Sequence, residues 1–370
     1  MGRNIVVCCD GTSNDVTGDS TNVLRLFRSL IRSDQQLTYY DPGVGTVSDP
    51  TANVMFSKWL SRNMDMGMGF SIRKNVCNVY GFLARYYRPG DDIYLFGFSR
   101  GAYIARAVAG MIHFLGLIRP EQTGIEPHAW SLYANDDSKL TDKDRFQSAH
   151  RFRATFSLKE RPNIHFIGAW DTVSSFGWFW NLRTLPYTSD NPSIANVYHA
   201  VAIDERRAMF QPNRFRPSVS NHDSFEEVWF AGGHGDVGGG WPEPVSGLSK
   251  ITLQWMCDAA FTKGLLIESK LLDRFLGKTQ SNDNKYVPAS CLAPVNSALQ
   301  GIWWLIEFLP RRQWDHKAKR QRWVRPHLAR RRRIAEDAII HPSVYEKIRA
   351  DITYNPVGLP PSIGMTRNQS

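Results

Sequence analysis

A chain of 370 residues, 42% of them hydrophobic, is long enough for one large domain with insertions or two smaller ones, at roughly 100–200 residues per domain, and too apolar for a disordered segment. Its formal charge of +10 is confined to one place: between Arg311 and Arg333 eleven Lys or Arg stand against the single Asp315. The remainder is near neutral, which excludes a protein whose whole surface tracks nucleic acid and marks a local basic patch.

Along the chain, Ile5 to Cys9 is a short apolar run of the kind that forms a strand buried on both faces. A helical pattern, "TNVLRLFRSLI", follows from Thr21, then a weaker strand from Leu37 to Tyr40. Residues 46–71, with Met55, Met64, Met66, Met68 and Phe70, break the rhythm as an insertion. The rhythm resumes with a helix, "NVCNVYGFLARYY" from Asn75, a strand from Ile93 to Phe96, and a helix, "AYIARAVAGMIHFLG" from Ala102. A strand from Ile164 to Trp170, a second insertion at 177–196 rich in Trp, Phe and Pro, and a strand from Val228 to Ala231 complete the series. Long insertions act as lids, or as Met and aromatic packing over a helix; both readings stay open.

Strands alternating with helices predict an α/β fold with a doubly wound, mostly parallel sheet over residues 1–246. Residues 247–370 are expected to be a helical, basic region packed on that core. Ligands of such sheets lie at the carboxyl ends of the strands. Here those ends read "CDGTSND", "YDPGVGT", "GFSRG", "WDTV" and "GGHGDVGGG", five polar or glycine-rich loops that would meet at one edge.

Gly97-Phe98-Ser99-Arg100-Gly101 matches G-x-S-x-G, with "DIYLF" before it and a helix former run after it. That order of strand, sharp turn and helix is what a nucleophile elbow requires, and Gly97 and Gly101 remove the Cβ atoms that would collide across the turn. A serine needs a base, and the base an orienting acid, in the chain order Ser, Asp or Glu, His. Asp171 directly follows one predicted strand and His234 another, so both fall at the catalytic edge. His113 and His165 lie inside predicted elements, and His316, His327 and His341 in the basic part. Asp236 and Asp10 compete with Asp171 for the acid, Asp236 being better suited to organise the histidine loop. The N–H of Arg100, with that of Gly11 or Thr12 after the first strand, would form an oxyanion hole. A metal set of Asp10, His234 and Asp236 is the alternative, but it leaves the serine turn without purpose; no cofactor or metal is expected.

These residues, together with "YRPGDDIYLFGFSRGAYIARAVAGMI", "GAWDTVSSFG", "YHAVAIDERRAMFQPNRF", "EVWFAGGHGDVGGGW", "IIHPSVYEKI" and "YNPVGLP", resemble a known family from about Asn4 to Pro360. It is the α/β-hydrolase domain of unknown function family that includes phospholipase effectors of bacterial type VI secretion. The resemblance implies a Ser-Asp-His hydrolase of carboxylic esters, with phospholipid as the substrate class of the effector branch and an immunity or secretion partner. By position Ser99 matches the family nucleophile and His234 its histidine; Asp171 lies in the family's "WDTV". Gly235 stands where a serine is usual, and Asp204 to Arg207, the family's "DERR", reads as an ion-pair cluster beside the site.

"GIWWLIEFLPRRQW", from Gly301 to Trp314, sets aromatic and aliphatic residues before the basic run, the composition of a helix in a membrane interface. Residues 301–333 are therefore a candidate peripheral membrane contact, the alternative being an apolar helix packed on the core with a solvated basic face. A second class of function is a catalytically inactive hydrolase fold whose basic segment binds nucleic acid, membrane or an acidic partner; the complete nucleophile, base and acid set speaks for the enzyme, and no nucleic acid is expected.

Five cysteines (Cys8, Cys9, Cys77, Cys257, Cys291), odd in number and without C-x-x-C spacing, read as reduced thiols. No charged-then-apolar leader precedes Asn4, and no apolar run reaches the roughly 18 residues of a membrane span. The chain is expected to be cytoplasmic as synthesised, with export by a route that cleaves no signal or peripheral membrane binding left open.

Overall fold

β1 (Asn4–Cys9) is buried at every position, and its side chains divide by parity. Ile5, Val7 and Cys9 enter one apolar cluster and Val6 and Cys8 another on the opposite face. A strand covered on both sides has no place for alternation with polar residues, which is why this sequence reads as one continuous apolar run. The computed structural model describes residues 2–11, 20–43, 64–134, 141–173, 177–178, 181–182, 185–216, 222–279, 285–300, 302–308, 311–315, 320–324 and 326–359.

In chain order β1 is followed by α1 (Asn22–Ser29), β2 (Gln36–Asp41), α2 (Met64–Tyr86), β3 (Asp92–Phe98), α3 (Arg100–Leu115), α4 (Glu126–Ala134) and α5 (Asp142–Phe156). Then come β4 (Ile164–Trp170), the two-residue pair β5 (Gly177–Trp178) and β6 (Asn181–Leu182), β7 (Ile194–Ala202), β8 (Ser224–Phe230), α6 (His234–Gly238), α7 (Gly247–Thr262) and α8 (Ser269–Phe275). The C-terminal part holds α9 (Ile302–Glu307), β9 (Arg311–Asp315), β10 (Arg320–Val324), β11 (Ile339–Ile340) and α10 (Pro342–Ala350).

Among the described residues seven strands form one sheet in the order β11-β8-β7-β4-β3-β1-β2, every neighbouring pair parallel. Val76, Val79 and Leu83 of α2 and Ile104 and Val108 of α3 cover one face. Val23 and Leu26 of α1 and Leu253 and Met256 of α7 cover the other. Thr21 caps α1, its hydroxyl accepting from the Leu24 N–H at 3.2 Å, worth about 1 kcal/mol. The chain leaves β1 for β2 on one side and returns to β3 on the other, so the crevice between the carboxyl ends of β1 and β3 is a topological switch point.

Several expected boundaries move. α2 begins at Met64, eleven residues before Asn75, so the end of the insertion at 46–71 is the first turns of a helix; residues 44–63, with Met55, lie outside the described residues. The second insertion, 177–196, contributes β5 and β6 and ends inside β7, a nine-residue strand that was not anticipated. Alanines, an asparagine and a histidine dilute its β-propensity, and its burial comes from neighbours on both sides instead. The region after Gly247 is helical in α7 to α10, but its basic segment is not: β9 and β10 pair as an antiparallel hairpin, with Trp314 opposite Gln321 and Trp323 opposite Arg312. β11 joins the main sheet beside β8, so the C-terminal part supplies a strand as well as helices. No helix among the described residues is long and apolar enough to cross a membrane.

Candidate active site

Ser99 stands between β3 and α3 with φ 59° and ψ −119°, a conformation that L-residues rarely adopt and that persists only where the surroundings impose it. Its N–H donates to the Trp170 carbonyl at 3.0 Å, which fastens the turn to the end of β4. The next residue, Arg100, opens the 16-residue α3, so its N–H has no acceptor within the helix and lies at the positive end of the helix dipole.

Asp171 follows β4 directly, fully buried and also at positive φ, 39°. Its N–H is held by the Ala200 carbonyl at 2.7 Å, and its Oδ1 accepts from the Ala202 N–H at 3.0 Å. Its Oδ2 lies 2.5 Å from His234 Nδ1. An ionised carboxylate only accepts, so Nδ1 carries the proton and Nε2 is the basic nitrogen. Burial pushes the Asp171 carboxyl up, but the Arg332 charge, and then the hydrogen bond and charge of His234, outweigh it and hold the group well below the usual carboxylate range.

His234 is the first residue of α6, and its backbone N–H donates to Glu205 Oε2 at 3.2 Å. The imidazole packs against two rings, Phe98 at 4.6 Å and Phe210 at 4.8 Å between centroids. Phe98 is the residue before Ser99, so β3 ends in one wall of the histidine and leads directly into the candidate nucleophile. Ser99 Oγ and the imidazole are not hydrogen-bonded to each other.

Asp236 organises the loop, as the sequence suggested, with Oδ2 accepting from the N–H groups of Gly233 and Asn296, both at 2.9 Å, and Oδ1 from Asn296 Nδ2 at 2.7 Å. Burial, only partly offset by the Asn296 hydrogen bonds, pushes its carboxyl up to about 6. Asp10 is turned to its own loop, with Oδ2 accepting from Thr21 Oγ1 at 2.5 Å and Tyr40 Oη at 2.7 Å. Neither competes with Asp171 for the imidazole, and among the described residues no group of three His, Cys, Asp or Glu side chains is arranged to hold a metal ion. The Gly11 N–H donates to Asp10 Oδ1 at 2.7 Å, and Thr12 lies outside the described residues.

Glu205 is clamped by Arg207, Nε at 2.9 Å and Nη2 at 2.8 Å, and Asp204 Oδ2 accepts from the Gly232 N–H and Tyr354 Oη, both at 2.8 Å. "DERR" is thus a cluster that supports the histidine loop. A Cβ at Gly235 would meet Trp241 Nε1 at 2.6 Å, so an indole occupies the space that a side chain there would need.

Two features escaped the sequence. One is Arg332, buried within the basic run, whose Nη1 lies 2.6 Å from Asp171 Oδ1 and whose Nη2 lies 3.0 Å from Oδ2. Nothing in the sequence marks it: Arg332 and Ile334 are buried on either side of exposed Arg333, an alternation that a run of four arginines does not show. The other is an aromatic cap: Trp303 of α9 packs edge-on against Phe210 at 5.5 Å, with the Arg207 guanidinium 3.5 Å above the Phe210 ring. Buried Glu307 pins α9 in place, accepting from the N–H groups of Ala208 at 2.6 Å and Ala329 at 2.9 Å.

A parallel sheet covered on both faces, with a serine on a strained strand-to-helix turn and a buried Asp-His pair at the same edge, is an α/β-hydrolase-like fold. More particularly, the chain belongs to the family of type VI secretion phospholipase effectors of the Tle1-like kind: the model of their catalytic domain matches residues 3–259. It is 37% identical over 226 residues to the uncharacterized protein YEL023C of Saccharomyces cerevisiae, an alignment covering 58% of this chain and 33% of the yeast protein. Among solved structures, an uncharacterized protein from Pseudomonas aeruginosa matches with a TM-score of 0.47 and 19% identity, over 77% of this chain and 48% of that one. A Tle1 effector bound to the VgrG spike of the type 6 secretion system matches with a TM-score of 0.33 and 18% identity, over 67% of this chain and 52% of that one. The chain therefore spans a third to a half of the length of these relatives.

Proposed function

We propose that the protein is a serine hydrolase that cleaves the carboxylic esters of phospholipids through an acyl-enzyme. The observation that supports this most is the buried Asp171-His234 pair, whose imidazole lies against Phe98, the neighbour of the strained Ser99. In this scheme His234 Nε2 takes the Ser99 proton while Oγ attacks the ester carbonyl carbon. The tetrahedral oxyanion accepts from the Arg100 N–H and from the loop after β1, two donors that together supply several kcal/mol of transition-state stabilisation, about 3–4 each. Gly11 would have to turn from Asp10 to donate, and Thr12 lies outside the described residues, so the choice between the two stays open. Collapse of the intermediate breaks the ester C–O bond, and the imidazolium protonates the departing alcohol. His234 then deprotonates a water that attacks the acyl carbon and releases the fatty acid from Ser99.

A fluorophosphonate probe and two substrates, a phospholipid and a small soluble ester, test the reading together. Labelling at Ser99 and faster turnover of the phospholipid are expected. A folded protein that takes no label and cleaves neither substrate would favour the non-catalytic alternative.

Lipid as the substrate class also accords with the surface beside the site. Trp304, Phe308 and Leu328 are 44%, 60% and 48% exposed, and the Leu328 N–H donates to the Glu307 carbonyl, which places it by the end of α9. Trp304 lies on α9 and Phe308 just past its end, and Arg330, Arg331 and Arg333 are exposed shortly after Leu328 in the chain. An apolar patch rimmed by arginines suits an anionic bilayer, each basic side chain near it adding about 1 kcal/mol. Vesicles containing anionic lipid should carry the protein upward in flotation, and a triple change of Trp304, Phe308 and Leu328 to Ser should release it. Equal flotation of this variant, or none by the wild type at low salt, argues against the contact.

A further inference from the structure

We infer that Arg332 is a positioning residue for His234, fixing the carboxylate that orients the imidazole and sharing its charge, so that it sets the pH range over which the histidine works as a base. The inference rests on the reading of Ser99 and His234 given above. Arg330, Arg331 and Arg333 are exposed, whereas Arg332 is 4% exposed and turned inward, 161 residues along the chain from the carboxylate it meets. Its Nη1 donates to Asp171 Oδ1 at 2.6 Å and to the Ala202 carbonyl at 2.8 Å. Its Nη2 donates to Asp171 Oδ2 at 3.0 Å and to the Phe210 carbonyl.

Two of the three groups against the imidazole, Asp171 and Phe210, are therefore held by one guanidinium; the third is Phe98. Asp171 meets its Nδ1, and Phe210, whose backbone carbonyl Arg332 holds, packs against the ring with the two planes 71° apart. A planar fork holds both carboxylate oxygens at once and leaves Oδ2 one direction in which to accept from Nδ1; an ammonium is a point charge and cannot fix that plane.

The electrostatic consequence runs in two directions. Full burial disfavours an ionised Asp171, and Arg332 opposes that. A cation behind the carboxylate also weakens the attraction between Asp171 and the imidazolium that forms during catalysis. The other charged groups around the ring are Glu205, behind the His234 backbone and neutralised by Arg207, Arg207 itself above Phe210, and Asp236 two residues on and held by Gly233 and Asn296. The two ring walls, Phe98 and Phe210, are apolar. Removing Arg332 should then loosen the imidazole and at the same time favour its protonated form.

The test compares the wild-type chain with Arg332→Met and Arg332→Lys, each checked for cooperative thermal unfolding. In Arg332→Met, kcat should fall about 100-fold with KM little changed, and the acid limb of kcat/KM should move up by about one pH unit. In Arg332→Lys the limb should stay in place while kcat falls about 10-fold, because charge is kept and the fork is lost. An arginine that merely supports the fold would lower activity without moving the limb. A readout that needs no turnover is the far-downfield proton resonance of the Nδ1–H···Oδ2 bond, identified by its loss in His234→Ala. It should shift in Arg332→Met, and an unmoved limb with an unmoved resonance overturns the inference. Wild-type kcat in Arg332→Lys overturns the positioning role even if Arg332→Met does not fold. If the wild type cleaves no ester, the proposed function fails while the resonance still decides the case of Arg332.

Discussion

Ser99→Ala is expected to lower ester hydrolysis at least about 10,000-fold while the protein still folds. Oγ is the attacking atom in the scheme, and with it gone neither the Asp171-His234 pair nor the oxyanion donors have a covalent step to assist. The backbone geometry sharpens the prediction. At φ 59° and ψ −119° an L-residue carries strain of about 1–3 kcal/mol whatever its side chain, so alanine inherits the strain that serine bears. Ser99→Gly should lose activity equally but relieve that strain, offset by the roughly 1 kcal/mol that glycine costs through the unfolded chain. The two variants together separate chemistry from fold: both inactive, with the glycine form unfolding at the same temperature as the alanine form or higher. The measurements are turnover of a phospholipid and thermal unfolding of the three proteins. Residual turnover within 100-fold of wild type in either variant would assign the nucleophile elsewhere, and a glycine form much less stable than the alanine form would mean that the turn is not strained.

The residues of this site differ in how far they could be read from sequence, and the reason is geometric. Ser99, Asp171 and His234 each stand at the end of a strand, and strand ends of a parallel sheet meet at one edge whatever the details of packing. Their positions relative to apolar runs therefore carried the necessary information. Arg332 lies on no such element: it reaches Asp171 from a segment whose local pattern, four consecutive arginines, says only that the run is charged. Its neighbours point outward, and which of the four turns inward is decided by tertiary packing around Ala202 and Phe210.

β7 was missed for a related reason. Its core-facing Val197 and Val201 are ordinary strand residues, but Asn196 and His199 look polar until their partners are known. Asn196 Nδ2 donates to the His165 carbonyl at 2.8 Å; His199 Nδ1 lies 3.0 Å from Glu227 Oε2 on β8, and its Nε2 accepts from the Thr172 N–H at 3.1 Å. A buried polar residue is invisible to hydrophobic patterning because what satisfies it lies on another strand. That Thr172 follows Asp171 directly gives this buried pair a place in the site, since it helps fix the loop that presents the carboxylate.

Gly101→Ala is expected to cost about 3–5 kcal/mol, enough to leave little folded protein in a domain of ordinary stability. A Cβ there would lie 2.1 Å from the Cys9 carbonyl oxygen, 2.6 Å from its carbon and 2.7 Å from the Asp10 oxygen. All three are backbone atoms at the end of β1, which is paired on both sides, to β2 and β3, and cannot retreat without breaking a ladder. A flexible side chain at that distance would turn aside; a central strand does not. The same crowding meets Gly97, whose Cβ would lie 2.5 Å from the Ala102 nitrogen. Gly124 supplies the contrast, for although its φ is +115° nothing lies within 4 Å of its Cβ position, so alanine there should cost only the backbone term of about 1 kcal/mol. Urea unfolding of the Gly101→Ala and Gly124→Ala proteins beside the wild type measures the difference. Comparable losses at the two positions would show that α3 and β1 can separate freely, and the tight packing of helix on strand that holds the Ser99 turn would lose its support.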